Sequence, residues 1–239
     1  MVAADFQTVG NSSDNTTILL QNFIKGDFTG TTDANTAPQI QIWDPSTGGG
    51  IGGYTFYYFF SQSSGSAATA YRNFWGPNRT KANVPGYLEL TVSLGQSVWF
   101  KCHENCTIQV AGQVAEVAEK NIQVYGNNKW NMLANPWPVA LNINSNVNWK
   151  AAGLVGTTDA STAPQIQVWD VTAGGGVGGY TFYYFFSQSS GSAATAYKDF
   201  WGPNRTKANV PEYLKLTIPV GQGFWLKYSG DDMTLTFSK

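Results

Sequence analysis

The sequence predicts an all-β protein built from two tandem copies of one antiparallel β-sandwich domain, of the jelly-roll or the immunoglobulin-like (Ig-like) type. Residues 52–71 recur letter for letter at 178–197, and the match extends from residues 30–101 to residues 156–227 with 16 differences in 72 positions. Repetition over this length indicates two domains and not a solenoid of short repeats. Short segments of strand periodicity are separated by turns rich in Gly, Pro and Asn. With 239 residues, we expect the domains at residues 1–115 and 116–239.

The opening of each copy predicts a pair of strands. Residues 6–10 and 16–23 flank the turn-forming sequence NSSDN, and we expect them to form a hairpin. Residues 122–126 and 130–135 form a comparable pair in the second copy. The best local match aligns residues 18–22 with residues 131–135, and another register is possible because this part of the alignment is weak.

From residue 30 the two copies follow the same order of predicted elements. Residues 39–43 (QIQIW) form a strand, residues 44–53 a glycine-rich turn, and residues 54–60 a strongly aromatic strand. A loop of small polar residues follows at 61–70, then a short helical turn or bulge at 71–76 and a second loop at 77–85. Strands are predicted at 87–92, 98–101 and 107–110, and the last has its equivalent at 234–237. Residues 111–120 are charged and alanine-rich, which is typical of a linker.

Differences between the copies separate core positions from solvated ones. Six exchanges replace one apolar residue with another, which indicates buried positions. They are Ile42/Val168, Ile51/Val177, Val92/Ile218, Leu94/Val220, Val98/Phe224 and Phe100/Leu226. Glu89/Lys215 reverses a charge, so that position faces water.

The aromatic strand has large rings on both faces, whereas an antiparallel strand with one solvated face should alternate apolar and polar residues. One face carries Tyr54, Phe56, Tyr58 and Phe60, and the other carries Tyr57 and Phe59. The second face must be covered by a loop of the same domain, by the other repeat, by another chain or by a ligand. We assign it to self-association, while a loop at 61–76 folding back over it remains the alternative. The candidate interface residues are Tyr57, Phe59, Trp75, Tyr183, Phe185 and Trp201.

Composition excludes several classes of partner. Charged residues make up 12% of the chain, about half the usual share. The net charge is −1 and there is no basic stretch, so we expect no nucleic acid partner and no anionic membrane partner. No apolar run is long enough for a membrane helix, and we expect no membrane insertion. The neutral polar surface is typical of an extracellular or cell-surface protein; because the first ten residues lack a signal peptide pattern, we expect a mature or truncated form.

The segment CHENC at 102–106 contains both cysteines and the single histidine. Three residues between Cys102 and Cys106 form a hairpin tip, and the favoured interpretation is a disulfide across it. Free thiols, a metal site and a catalytic site are the alternatives, but the segment has too few ligands for structural zinc and no distant base for a nucleophile. We expect no metal and no cofactor.

Acidic residues shared by both copies are Asp33/Asp159 and Asp44/Asp170. Each lies at a turn, where an aspartate caps backbone N–H groups. A glycosidase carboxylate pair and a calcium site are the alternatives. We expect that the protein is not an enzyme.

The second copy also carries a recognisable pattern. It runs WNMLANPWP at 130–138, IQVWD at 166–170, GYT at 179–181 and PVGQGFWLK at 219–227. This resembles the "WNLxxNPxP … IxxWD … GxY … GQGFWxK" domains of secreted and surface proteins of Bacteroidetes, Verrucomicrobia and related bacteria. The resemblance implies export and an all-β module, and it implies no chemistry. The first copy lacks the NPWP segment.

Together these observations predict a non-catalytic, extracellular or cell-surface structural protein that self-associates into a homo-oligomer or a filament. A carbohydrate-binding module that binds glycan through surface Trp and Tyr is the alternative. Trp43/Trp169, Trp75/Trp201 and Trp99/Trp225 occur in both copies, and they serve either sugar stacking or the core.

Overall fold

The computed structural model describes residues 7–10, 17–61, 72–102, 106–110, 117–176, 178–187 and 197–239. Over these ranges the chain forms antiparallel β-sheets with a few short helices, so the all-β prediction is confirmed. Among the described helices, none has the length and apolar character needed to cross a bilayer.

The first half of the chain contributes short strands and single-turn helices. The strands are β1 (Gln7–Gly10), β2 (Thr17–Leu19), β3 (Ile24–Gly26), β4 (Gln39–Asp44), β5 (Gly53–Phe60), β6 (Phe74–Gly76), β7 (Thr91–Ser93), β8 (Ser97–Lys101) and β9 (Ile108–Val110). The helices are Leu20–Phe23, Gly48–Gly50, Lys81–Asn83 and Val84–Tyr87.

The second half repeats this series. Its strands are β10 (Glu119–Val124), β11 (Trp130–Ala134), β12 (Leu141–Asn142), β13 (Gln165–Asp170), β14 (Gly179–Phe186), β15 (Phe200–Gly202), β16 (Thr217–Ile218), β17 (Gly223–Lys227) and β18 (Met233–Ser238). Its helices are Ala173–Gly176, Lys207–Asn209 and Val210–Tyr213. Residues 111–116 of the predicted linker lie outside the described residues, and the domain boundary near residue 115 stays a prediction.

Each half contains a five-stranded sheet with the same strand order. The orders are β1-β8-β4-β5-β6 and β11-β17-β13-β14-β15. Corresponding strands also pair in the same register: Ile40 lies opposite Phe100, and Ile166 lies opposite Leu226. The repeat seen in the sequence is therefore a repeat of strand order and register.

Shorter ladders accompany each sheet. β2 pairs with β7 and β3 with β9 in the first half, while β12 pairs with β16 and β10 with β18 in the second. An additional bridge joins Val147 to Phe237, so residues near 147 lie beside β18 as β3 lies beside β9.

Each half buries its own apolar core on one face of its five-stranded sheet. In the first half, Ile40, Val98 and Phe100 of the sheet pack with Val92 of β7 and Ile24 of β3. In the second half the core contains the equivalent residues Ile166, Phe224, Leu226 and Ile218. The apolar exchanges at these sheet and ladder positions therefore mark the core, and the partner side chains come from the short ladders. Two of the six exchanges do not mark the core, because Ile51 is 79% exposed and Val220 is 54% exposed.

The predicted opening hairpins were wrong. β1 pairs with β8 and β2 pairs with β7, so the two strands of the first pair belong to different ladders. β10 and β11 likewise pair with β18 and β17. The local alignment was also wrong: β1 lies opposite residues 97–100 as β11 lies opposite residues 223–227, so residues 7–10 and not 18–22 correspond to β11. Pairing with a distant strand lets the chain's first segment join the central sheet, which a local hairpin could not do.

Two other local predictions need correction. The strand expected at 87–92 is a helix at Val84–Tyr87 followed by a shorter strand at Thr91–Ser93. Pro85 lies in the first turn of that helix, where a missing N–H costs nothing. The helical turn or bulge expected at 71–76 is instead the edge strand β6, which pairs with the end of β5.

The NPWP segment of the second half is held by one buried amide. The Asn135 side chain is fully buried and donates to the carbonyls of Val139 (2.8 Å) and Ile218 (3.0 Å). Its carbonyl oxygen accepts the backbone N–H of Trp137 at 2.9 Å. This segment therefore joins β11 to the strand end at Ile218, and it buries Trp137 completely.

Candidate functional site

The two five-stranded sheets pack against each other through the faces opposite their cores. Where they meet, Trp99, Met132 and Trp225 are buried. Four half-buried rings pack around them, which are those of Trp43, Trp130, Trp169 and Tyr180. We call this group the inter-repeat cluster. It covers one end of the aromatic-strand face that carries Tyr54 and Phe56, so the other repeat is one of the covers of the aromatic strand.

Contacts in the inter-repeat cluster occur in symmetric pairs. The ring of Trp43 lies edge-on to that of Trp225 at 5.2 Å, and the ring of Trp169 lies edge-on to that of Trp99 at 5.6 Å. Trp43 corresponds to Trp169, and Trp99 corresponds to Trp225. Each repeat therefore offers the same two residues to the other, which is the arrangement of an isologous, two-fold interface. Edge-to-face rings at these distances are the favoured geometry of aromatic pairs.

Hydrogen bonds fix the rings of the inter-repeat cluster. Trp43 Nε1 donates to the carbonyl of Trp130 at 2.6 Å, which joins the repeats directly. Trp99 Nε1 donates to the Tyr54 hydroxyl at 3.1 Å. Burial raises the pKa of Tyr54 to about 12 although this hydrogen bond opposes the shift, so the hydroxyl stays neutral at physiological pH. A backbone bond from Ala134 N–H to the carbonyl of Gly95 (2.7 Å) adds to the contact between the halves.

The sequence alone did not single out the inter-repeat cluster, although a signal was present. Trp43 and Trp99 alternate with the core residues Ile42 and Val98, so they had to lie on the face away from the core. A tryptophan on that face of two adjacent strands, in both repeats, indicates a second buried surface.

The candidate interface residues predicted from the sequence lie inside their own repeats, which corrects that assignment. Trp75, Trp201 and Phe185 are almost completely buried. Tyr57, Phe59 and Tyr183 are half-buried and pack against the same cores. The ring of Phe59 lies 4.9 Å from that of Trp75, and the ring of Phe185 lies 5.1 Å from that of Trp201. These side chains share the sheet face of Ile40 and Phe100 and pack into the cores, so they do not form the free outer surface that self-association was expected to use. The alternative cover, residues 61–76 folding back over this face, is confirmed at its described end, because Trp75 packs against Phe59. Residues 62–71 lie outside the described residues.

Part of the outer sheet face remains open beyond the inter-repeat cluster. Phe56 is 42% exposed and Phe182 is 41% exposed. The ring of Phe56 lies 6.2 Å from that of Tyr54, and Gln41 lies opposite Phe56 in the ladder. We call Tyr54 and Phe56, with their equivalents Tyr180 and Phe182, the open aromatic strips. The next residues on this face, Tyr58 and Tyr184, pack against further buried clusters around Phe60 and Phe186. Each strip begins at the inter-repeat cluster and continues away from it along the sheet.

A cleft opens beside the core of each repeat, at the end of the sheet where β4 and β13 finish. The first cleft has a volume of about 580 Å³ and the second about 490 Å³. Five polar lining residues correspond between the clefts: Asp44, Thr55, Tyr57, Thr91 and Gln96 in the first and Asp170, Thr181, Tyr183, Thr217 and Gln222 in the second. The first cleft has additional polar lining from Ser93, Asn121, Gln123, Tyr125 and Asn131. Both volumes lie in the range of about 300–1,000 Å³ that small-molecule sites occupy.

The remaining chemical candidates have structural partners. Cys102 and Cys106 form a disulfide, with the Cα atoms 6.4 Å apart, as expected from the sequence. Asp44 Oδ1 accepts the backbone N–H of Ser46 at 2.8 Å, and Asp33 Oδ1 accepts that of Asn35 at 2.9 Å. These shared aspartates therefore stabilise turns.

The equivalent aspartates of the second repeat behave in the same way. Hydrogen bonds from Ser161 hold the pKa of Asp159 below its usual value, and those from Thr172 do the same for Asp170. Within the described ranges, no three His, Cys, Asp or Glu side chains lie close enough together to hold a metal ion.

Comparison with known proteins identifies no relative: the chain matches no protein-family model, no curated protein and no solved structure. The features of the molecule that bear on its function are the inter-repeat cluster, the open aromatic strips and the two clefts.

Proposed function

We propose that the protein is a non-catalytic structural and assembly module of the cell surface or the extracellular space. In this proposal residues 1–115 and 116–239 are two tandem β-sandwich domains, locked face to face by the inter-repeat cluster. The observation that carries it is the isologous packing of two equivalent aromatic sheet faces. Such packing gives one chain the arrangement of a two-fold dimer, in which the two repeats take the place of two subunits.

Self-association occurs through the open aromatic strips, and the partner is a second copy of the chain. Each strip continues the same face that already packs against its equivalent in the inter-repeat cluster, so the face is self-complementary in this molecule. Aromatic side chains bury about 150–250 Å² each. The low charged fraction, 12%, supplies little repulsion between copies.

One chain carries two strips, one on each repeat. When two like surfaces both bind, association does not stop at a dimer but continues from molecule to molecule. The proposed products are therefore homo-oligomers or filaments.

Replacing the exposed ring of each strip tests this proposal. We expect Phe56→Ser/Phe182→Ser to abolish particles larger than one chain in sedimentation velocity and negative-stain microscopy. Phe56→Ser alone leaves one strip and should stop growth at dimers. The matched control is Leu88→Ser/Leu214→Ser, because these residues are also equivalent in the two repeats and are 39% and 40% exposed. Wild-type protein that stays monomeric at high concentration, or a strip variant that assembles as the wild type does, would refute the proposal.

An extracellular location is supported by three observations. The Cys102–Cys106 disulfide is of the kind that persists in oxidising compartments. The polar surface relies on uncharged side chains, and the second copy resembles domains of exported proteins. Detection of the protein in an intact-cell surface-labelling experiment would test the location.

Lack of catalysis is part of the proposal and can be tested separately. A panel of glycan and ester substrates should give no turnover. Turnover that disappears in Asp44→Ala or Asp170→Ala would overturn this part of the proposal.

Carbohydrate binding is the second candidate function. It was expected to use surface tryptophans, but all nine tryptophans are buried or half-buried. The observation that favours carbohydrate binding is instead the pair of equivalent polar clefts.

A further inference from the structure

The two clefts contain the same set of uncommitted hydroxyl groups. Thr55, Thr91 and Tyr57 line the first, and Thr181, Thr217 and Tyr183 line the second. In the part of the chain that the structure describes, none of these six side chains forms a hydrogen bond to protein. Each cleft therefore has three hydroxyl groups that can donate and accept hydrogen bonds. Such a set is suited to a ligand that carries several hydroxyls.

The tyrosine of each cleft is placed to act as a hydrogen-bond donor. Tyr57 and Tyr183 extend from the middle of β5 and β14, and their rings pack against the cores. Burial raises the pKa of both hydroxyls, and the negative charge of Asp170 adds to the shift at Tyr183. Both tyrosines therefore keep their proton over the physiological pH range.

The charge of the clefts argues for a neutral ligand. Asp44 is the single charged side chain that lines the first cleft within the described residues, and Asp170 has that position in the second. Among the described lining side chains none is cationic, so a phosphate or a carboxylate would find no counter-charge there. Apolar walls formed by Ile42 and Leu94, or by Val168 and Val220, give the nonpolar face of a sugar ring a surface to contact.

We propose that each cleft binds one sugar unit of a neutral saccharide, through the paired threonines and the tyrosine. This inference rests on the second candidate function and is independent of self-association. Gln123 and Tyr125 of the second repeat add a wall to the first cleft, whereas the lining of the second cleft comes from its own repeat. The first cleft should therefore bind the saccharide more tightly.

The test is an NMR titration of the isotopically labelled full chain with glucose, galactose, mannose, xylose and N-acetylglucosamine. We expect at least one of them to shift the signals of residues around both clefts. Tyr57→Phe should weaken binding at the first cleft about 3- to 10-fold and leave the second unchanged, because one neutral hydrogen bond is lost. The matched control is Tyr58→Phe, which removes a hydroxyl from the neighbouring residue on the opposite face of the same strand. Tyr183→Phe and Tyr184→Phe provide the same pair for the second cleft.

Four results would overturn the inference, and the first three concern the clefts. They are no shift around either cleft with any of these sugars, equal effects of Tyr57→Phe and Tyr58→Phe, and cleft shifts with calcium or tetramethylammonium alone. Sugar-induced shifts confined to Phe56 and Phe182 would also overturn it, but would leave carbohydrate binding standing with the strips as its site.

Discussion

Removal of Trp225 tests whether the inter-repeat cluster holds the two repeats together. This side chain is 7% exposed, and its ring lies 5.2 Å from Trp43, 6.1 Å from Trp130 and 6.3 Å from Tyr54. A buried tryptophan removes about 150–250 Å² from water, which at ~25 cal/mol per Å² is about 4–6 kcal/mol as an upper estimate. Because the site can partly collapse, we expect Trp225→Ala to lower the free energy of unfolding by about 3–5 kcal/mol.

The variant should also uncouple the repeats. In the wild type the shared cluster makes the unfolding of one repeat expose the rings of the other, so we expect a single calorimetric transition. Trp225→Ala should give two transitions, and hydrogen exchange should show the repeats opening independently. Trp99→Ala removes the equivalent ring, which is 6% exposed, and should have a similar effect.

The matched control is Trp75→Ala, which removes a fully buried tryptophan that belongs to the core of the first repeat alone. We expect Trp75→Ala to destabilise the first repeat by a comparable amount. It should not uncouple the two repeats as Trp225→Ala and Trp99→Ala do. The reasoning fails if Trp225→Ala costs less than about 1 kcal/mol. It also fails if urea and thermal unfolding of that variant remain a single coupled transition.

Three further predictions concern stability. Asn135→Ala should lower the free energy of unfolding by about 3–5 kcal/mol in urea denaturation, because it leaves several buried backbone groups without partners; a loss below that of an exposed Asn→Ala change would contradict this. Cys102→Ser/Cys106→Ser should cost about 2 kcal/mol, the chain-entropy value for so small a loop, and reductant should lower the melting temperature of the wild type but not of the variant. Burial, and then the negative charges of Asp232 and Asp231, raise the pKa of Tyr228 to about 12. The unfolded tyrosine, with a pKa near 10, loses its proton first. The contribution of Tyr228 to stability should therefore be constant below about pH 10 and be lost between about pH 10 and 12, so stability should fall less steeply there in Tyr228→Phe. Identical pH profiles of melting temperature for the wild type and Tyr228→Phe would count against this.

Local pattern was sufficient for the strands of the central sheets. The alternation in residues 39–43 predicted β4, and the aromatic run at 54–60 predicted β5. The apolar exchanges at Ile42, Val98 and Phe100 identified core positions because a buried site tolerates a change of shape but not of polarity. The spacing of Cys102 and Cys106 predicted the disulfide because so short a separation keeps the two sulfur atoms near each other. The predicted hairpin is not formed, since β8 pairs with β1 and β4 whereas β9 pairs with β3.

Pairing between distant strands could not be read from local pattern. Residues 7–10 lie next to another strand-forming segment in the sequence, yet they pair with residues 97–100. Turn signals favour the nearest partner, whereas the folded chain places β1 at the edge of a sheet that is completed by β8. The same limit applies to residues 84–87, where helix and strand patterns are too short to distinguish.

By itself, the sequence determined that this protein is all-β, that it is duplicated and that its aromatic strand must be covered on both faces. Only the tertiary structure decided which face is which. Periodicity separates the Tyr57 and Phe59 face from the Tyr54 and Phe56 face. Because both faces are aromatic, the sequence does not show which of them packs into the core. The decision comes from side chains far away in the chain: Phe100 and Trp75 close the first face, and Trp225 closes one end of the second. Whether a face is buried depends on those distant contacts, so it cannot be predicted from the residues of the strand alone.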